Sequence, residues 1–138
     1  MSTDTASFQL QARFPVPAAR VFQAWLDAAE HGAMTGGVAT SDPRLGGRYT
    51  AWDGYIEGTH LTIDPDQHLV QSWRSSEFPP DAPDSRLDLT FTEVDGGCEL
   101  MLVHSGIPIG QGASYAQGWE DHYFVPMLAY FSATPEPS

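Results

Sequence analysis

Three chemically able side chains stand together near the end of the sequence: Glu120, Asp121 and His122, inside "HSGIPIGQGASYAQGWEDHYFVPMLAYF", His104 to Phe131. A carboxylate beside an imidazole suits acid–base or metal chemistry. The aromatics around it predict a helix over about 112–132. Each helical residue turns about 100° from the last, so sequence neighbours do not face one another. With Trp119 at zero, Tyr115, Ala116, Tyr123, Pro126, Met127 and Tyr130 fall within about 80°, and Phe131 and Phe124 widen the arc to about 140°. Asp121 points almost opposite, and His122 sits on a flank about 60° away. Glu120 falls inside the apolar arc, as a carboxylate reaching for water or as a pocket acid with a raised pKa. A regular helix therefore breaks the triplet apart. Pro126 lacks an N–H and crowds the carbonyl of His122, which predicts a bend.

The remaining reactive residue types are dispersed. His31, His60, His68, His104 and His122 make no spaced metal motif with Cys98. There is no H-E-x-x-H, no G-x-S-x-G and no phosphate loop, and "GQG" and "LGG" read as turns. No metal, no cofactor and no catalytic residue is assigned. Cys98 is the single cysteine; it cannot form an intramolecular disulfide, reads as a small buried apolar residue, and suits a reducing cytoplasm. Arg74 and Glu57 are placed to pair across neighbouring strands.

The formal net charge is -12. Such a field repels phosphate backbones and anionic lipid, which excludes nucleic acid and membrane surfaces as natural partners. No basic start leads into an apolar run, so no signal peptide is expected, and no apolar stretch approaches membrane-spanning length.

These side chains need elements to position them. The 138 residues read as one domain, 1–138, with a core over about 7–131 and a tail over 132–138. "SFQLQARF" alternates as a strand over 7–14. Pro17 suits the first turn of a helix carrying Val21, Phe22, Trp25 and Leu26. "EHGAMTGG" is a break or a short second helix. Strands follow at 46–53, 55–63, 68–76, 86–94 and 98–105, with a hairpin turn at Asp53-Gly54 and a bulge at Gly58. "EFPPDAPD" is a proline-rich loop. Short links between strands predict antiparallel pairing, in an α+β fold that ends in a long helix.

A concave sheet against an apolar helix encloses a chamber. From the first half of the chain, Trp25, Met34, Tyr49, Trp52 and Trp73 are candidate lining. From the second half come Leu102, His104, Trp119, Tyr123 and Met127, with Glu120 as the acid among them. Mostly apolar walls with a few polar groups suit a small hydrophobic molecule, and they equally suit a packed core.

The order of elements resembles the helix-grip, START-like (SRPBCC) superfamily, in which a curved antiparallel sheet wraps around a long C-terminal helix. The ordered strings "LGGRYTAWDGYIEGTHLTIDPDQHLVQSWR", "EFPP", "HSGIP" and "QGWEDHYF" narrow the match. They resemble the C-terminal domain of the activators of the 90-kDa heat-shock protein's ATPase and their bacterial homologues. The matching positions are Gly46-Gly47, Gly54, Gly58, Trp73-Arg74, Phe78-Pro79, Gly106-Ile107-Pro108 and Gly118-Trp119. Phe78 stands where the family pattern has a tryptophan.

The resemblance implies three readings. The first is binding of a hydrophobic small molecule between sheet and helix. The second is a co-chaperone-like contact with the 90-kDa heat-shock protein, favoured if aromatics near "EFPPDAP" are exposed. The third is a polyketide-cyclase-like enzyme using Glu120, His104 or Glu57 as acid or base. The eukaryotic co-chaperone carries a further N-terminal domain that this chain has no room for. With the charge of -12, this leads to an expectation of weak or no stimulation of the ATPase by this chain alone.

Overall fold

In the computed structural model, described for residues 5–65, 67–108 and 110–133, alternation and turn chemistry settle into one open antiparallel sheet. The chain runs β1 (Thr5–Phe14), α1 (Ala18–Leu26), α2 (Ala28–Thr35), β2 (Thr40–Ser41), β3 (Arg48–Ala51), β4 (Ile56–Asp64), β5 (His68–Ser75), β6 (Ser85–Val94) and β7 (Gly97–Pro108). A long final helix follows as α3 (Gly112–Trp119), a π segment (Glu120–Phe124) and α4 (Val125–Ala133). The seven strands lie in the order β1-β7-β6-β5-β4-β3-β2, every neighbour antiparallel. This is the α+β helix-grip architecture.

The expected strands are present, and β2 is an added edge of two residues, too short to show periodicity. "EHGAMTGG" lies largely in α2, which Asp27 caps by accepting from the Glu30 N–H and which ends at Gly36 with φ 94°. Pro17 is the N-cap of α1 and not a residue of its first turn. The freed Ala18 N–H instead donates to the Glu93 carboxylate of β6 at 2.9 Å, a negative charge placed at the helix's positive end. Of the expected tail, Ser132 and Ala133 still belong to α4, and 134–138 lie outside the described residues.

The core lies between sheet and helices. Leu87, Leu89 and Phe91 of β6 and Cys98, Leu100, Leu102 and His104 of β7 face it in strict alternation. After His104 the alternation slips at Gly106, where φ is 72°, so that Ile107 turns inward. The expected bulge at Gly58 falls elsewhere: the register shift lies between His60 and Thr62. Gly58 serves a different need. A Cβ there would lie 1.9 Å from the Ser72 carbonyl oxygen and 2.6 Å from the Tyr49 ring, which crosses it.

The final helix departs from regular geometry. The Val125 N–H bonds to the Glu120 carbonyl, five residues back. This π turn accommodates one extra residue and rotates the following chain by about 100° relative to a pure α-helix. Phe124, Met127 and Phe131 thereby come into line with Tyr115 and Trp119, and all five are buried. Glu120 is the corrected residue. It lies outside the narrowed arc and is exposed to solvent, as are Asp121 and His122. The irregularity begins ahead of Pro126, in the turn whose carbonyls that proline would otherwise crowd.

Candidate ligand groove

Beneath the final helix, buried indoles and imidazoles satisfy one another. Trp119 Nε1 donates to His104 Nδ1 at 3.1 Å. That leaves the proton on Nε2, which meets Ser85 Oγ at 2.7 Å, and Ser85 donates onward to the Trp73 carbonyl. Burial pushes the His104 imidazole down to about 3, so the ring stays neutral. Trp25 Nε1 likewise donates to Gln71 Oε1, and the Gln71 amide meets His60 Nδ1. His31 pairs with the Trp25 carbonyl through Nδ1 and with the Tyr123 hydroxyl through Nε2. Burial lowers the pKa of His31 and His60 as well. Among the described residues no buried side-chain nitrogen or oxygen lacks a partner.

On the other side of Trp119 the molecule opens. A groove of about 670 Å³ runs between the β3–β4 hairpin, β5 and the α3–π segment. Its floor is Ile56, Trp73, Tyr115, Trp119 and Tyr123; its rim carries Trp52, Tyr55, Ser114, Gln117, Gly118, Asp121 and His122. Trp119 and Tyr123 have ring centroids 4.5 Å apart, and Trp73 meets Tyr115 edge-on at 4.9 Å. Aromatic rings thus make up most of the floor.

Trp52 is not a strand residue. It sits in the hairpin turn at φ 53°, followed by Asp53 at φ 60°. A left-handed tryptophan costs about 1–2 kcal/mol, so the surroundings must hold it. Asp53 exchanges bonds with Val38, its N–H to the carbonyl and its carboxylate to the N–H. Gly37 leaves room for the indole, since a Cβ there would lie 2.5 Å from the ring. Trp52 is thereby aimed at the helix, edge-on to His122 at 5.6 Å and to Tyr123 at 6.4 Å.

Of the candidates read from the sequence, the groove gathers Trp52, Trp73, Trp119 and Tyr123. Trp25 and Tyr49 border a void of about 10 Å³ with His60 and Gln71. Met34, Leu102, His104 and Met127 are fully enclosed in the core, and Glu120 faces water outside the groove. Tyr55, Ile56 and Tyr115 were missed. Tyr115 was legible from the helical stripe; Tyr55 and Ile56 follow the hairpin turn, and only the folded structure brings them to the groove.

The expected Glu57–Arg74 pair does not form, although the two residues are register partners. Glu57 accepts from Arg48 at 2.8 Å. Arg74 instead ties the proline-rich loop, donating to the carbonyls of Pro79 and Ala82 and to Asp84, with its guanidinium 5.5 Å from the Phe78 ring. Phe78 is 5% exposed. Burial pushes the Cys98 thiol up to about 11. Among the described residues no group of three or more His, Cys, Asp or Glu is placed to hold a metal ion. No helix among them is long and apolar enough to cross a membrane.

An open antiparallel sheet holding a long, aromatic-faced C-terminal helix defines the START-like helix-grip class. Solved structures of that shape include an HSP90 activator from Plasmodium falciparum, with TM-score 0.79, 22% identity, and coverage of 94% of this chain and 97% of that one. CalU16 from Micromonospora echinospora has TM-score 0.78 at 22% identity, covering 99% and 88%. Residues 15–131 match the family model "Activator of Hsp90 ATPase homolog 1-like protein", and the chain belongs to that family. The human activator of 90 kDa heat shock protein ATPase homolog 1 is 32% identical over 92 residues, 67% of this chain and 27% of the relative. A Schizosaccharomyces pombe protein is 26% identical over 128 residues, 93% of this chain and 38% of that one. The chain therefore spans well under half the length of these curated relatives.

Proposed function

We propose that the protein binds a small, largely apolar molecule in the aromatic groove between the β3–β4 hairpin and the final helix. The observation that carries this reading is the groove itself. It has about 670 Å³ of space, floored by Trp73, Tyr115, Trp119 and Tyr123, beside a core whose buried side-chain nitrogens and oxygens, among the described residues, are all paired. That volume lies within the usual range for small-molecule sites, and a few rim polar groups suffice to orient a guest. The held, left-handed Trp52 fits a rim residue kept in place for contact. The residues nominated for acid–base catalysis are not gathered in this groove. His104 has both ring nitrogens engaged, Glu120 faces water, and Glu57 is tied to Arg48.

The test is titration with Nile red, a neutral apolar dye, followed by native mass spectrometry of protein purified from its own host. Saturable dye binding is expected, weakened at least about fivefold in Trp52→Ala, in line with loss of an aromatic anchor. Dye binding that ignores Trp52→Ala would overturn the reading.

A second reading, contact with the 90-kDa heat-shock protein, is favoured by the family and by the names of the relatives. The buried Phe78 removes the exposed loop aromatic that would have strengthened it. ATP turnover by the chaperone from the same organism, with and without this chain, tests that contact; weak or no stimulation is expected. A buried thiol with a raised pKa suits a reducing compartment such as the cytoplasm.

A further inference from the structure

We infer that the groove selects a guest with a positive charge on an aromatic or apolar body, an arylalkylamine for example, over a carboxylate or phosphate of the same shape. The inference deepens the ligand-binding reading and rests on it.

Charge in this molecule is distributed to that end. The chain holds six basic side chains, all arginine, and no lysine. Each arginine is already paired with a carboxylate: Arg13 with Glu99, Arg20 with Glu30, Arg44 with Asp42, Arg48 with Glu57, Arg74 with Asp84 and Arg86 with Asp88. None of them lines the groove. An anionic guest would find no guanidinium among the lining residues and would enter against the field of a chain of net charge -12.

The lining offers a cation two kinds of attraction. The rings of Trp52, Trp73, Trp119 and Tyr123 line the groove, and an aromatic ring attracts an ammonium group through its quadrupole. Two carboxylates stand near those rings, Asp121 in the lining and Glu77 behind Tyr55. Asp121 stands on the helix rim, where Gln117 Nε2 bonds its Oδ1 at 3.0 Å; among the described residues no group bonds its Oδ2. On the hairpin side, the Tyr55 hydroxyl donates to Glu77 at 2.5 Å, which places a second carboxylate directly behind the rim. Burial, with Glu77 adding to it, pushes that phenol up to about 12, so it stays a neutral donor.

The experiment is isothermal titration of the intact protein, at physiological salt, with three probes sharing one naphthalene body. These are 1-naphthylmethylamine, 1-naphthylmethanol and 1-naphthaleneacetate. The amine is expected to bind at least about tenfold tighter than the acetate, with the alcohol between them, as cation–π and ion-pair attractions of ordinary size give. Asp121→Asn, a change at an exposed position, should cut the amine's advantage about threefold. Asp95→Asn removes the same charge at the far β6–β7 turn and should leave the advantage intact. The set is repeated on His122→Gln, so that the rim imidazole plays no part in the ranking. Equal affinities, or an acetate that binds best, would overturn the charge selection while leaving the groove as a binding site. A loss in Asp95→Asn equal to that in Asp121→Asn would also overturn it, because the preference would then belong to the whole molecule's field. If none of the three probes binds, both this inference and the ligand-binding reading fall.

Discussion

Along α4 the face carrying Met127 and Phe131 is closely packed, while Val125 and Leu128 point to solvent. Phe131 packs edge-on to Phe14 at 5.8 Å, the Arg20 guanidinium lies 5.3 Å from the same ring, and the Tyr130 hydroxyl donates to Glu30. Around α3 and the π segment the same helix presents aromatics of similar size, yet about 670 Å³ beside them is left open. Both halves carry buried aromatics, and they differ in what lies opposite. α2 and β1 pack against the C-terminal half, with Arg20 of α1 over Phe131, whereas the β3–β4 hairpin with its left-handed turn stands before the N-terminal half. A continuous apolar stripe can thus serve as core at one end and as a binding surface at the other.

Trp119 belongs to both regions, so removing it should have the largest effect. Trp119→Ala is expected to cost about 3–5 kcal/mol, since it deletes a stacked indole and orphans His104 Nδ1. Urea denaturation measures this, and a variant as stable as wild type would break the division into core and groove. Gly58→Ala comes next. Its Cβ would collide with the Ser72 carbonyl and the Tyr49 ring. A loss of about 3 kcal/mol is expected, at the upper end for overpacking, and thermal melting would register it.

The closed region should also be acid-sensitive. In the unfolded chain the His104 imidazole takes a proton near its ordinary 6.5, and in the fold only near about 3. Between those values the unfolded state binds more protons. Stability is therefore full above about pH 6.5 and falls as pH drops, by about 2 kcal/mol between pH 7 and pH 5 for this one group. His31 and His60, also lowered by burial, shift the balance the same way. Urea midpoints measured at pH 7, 6 and 5 should decline steadily, and a flat series would show these imidazoles to be less enclosed than the geometry has them. The smallest effect is expected at the exposed face of the π segment. Glu120→Gln should move stability by no more than about half a kcal/mol, at neutral and mildly acidic pH alike. A distinct stabilisation at neutral pH would place that carboxylate in a dry pocket after all.

The alternation in β1, β6 and β7, the helical spacing of Val21, Phe22, Trp25 and Leu26, and the turn at Asp53-Gly54 were all legible locally. Each is a period or a turn preference that no distant residue has to approve. The ordered glycine and tryptophan strings carried the family in the same way. Three things could not be read along the chain. The π turn adds a residue without any change in composition, so Glu120 looked interior until the rotation was known. Register partners need not pair: Glu57 chose Arg48, and Arg74 chose the carbonyls of its own loop. Whether an aromatic lines a space or fills one depends on what stands opposite, and for Trp52 that is set by the left-handed turn and by the absent Cβ of Gly37. Periodicity sorts side chains into faces. Only the tertiary structure decides which stretch of a face is left open.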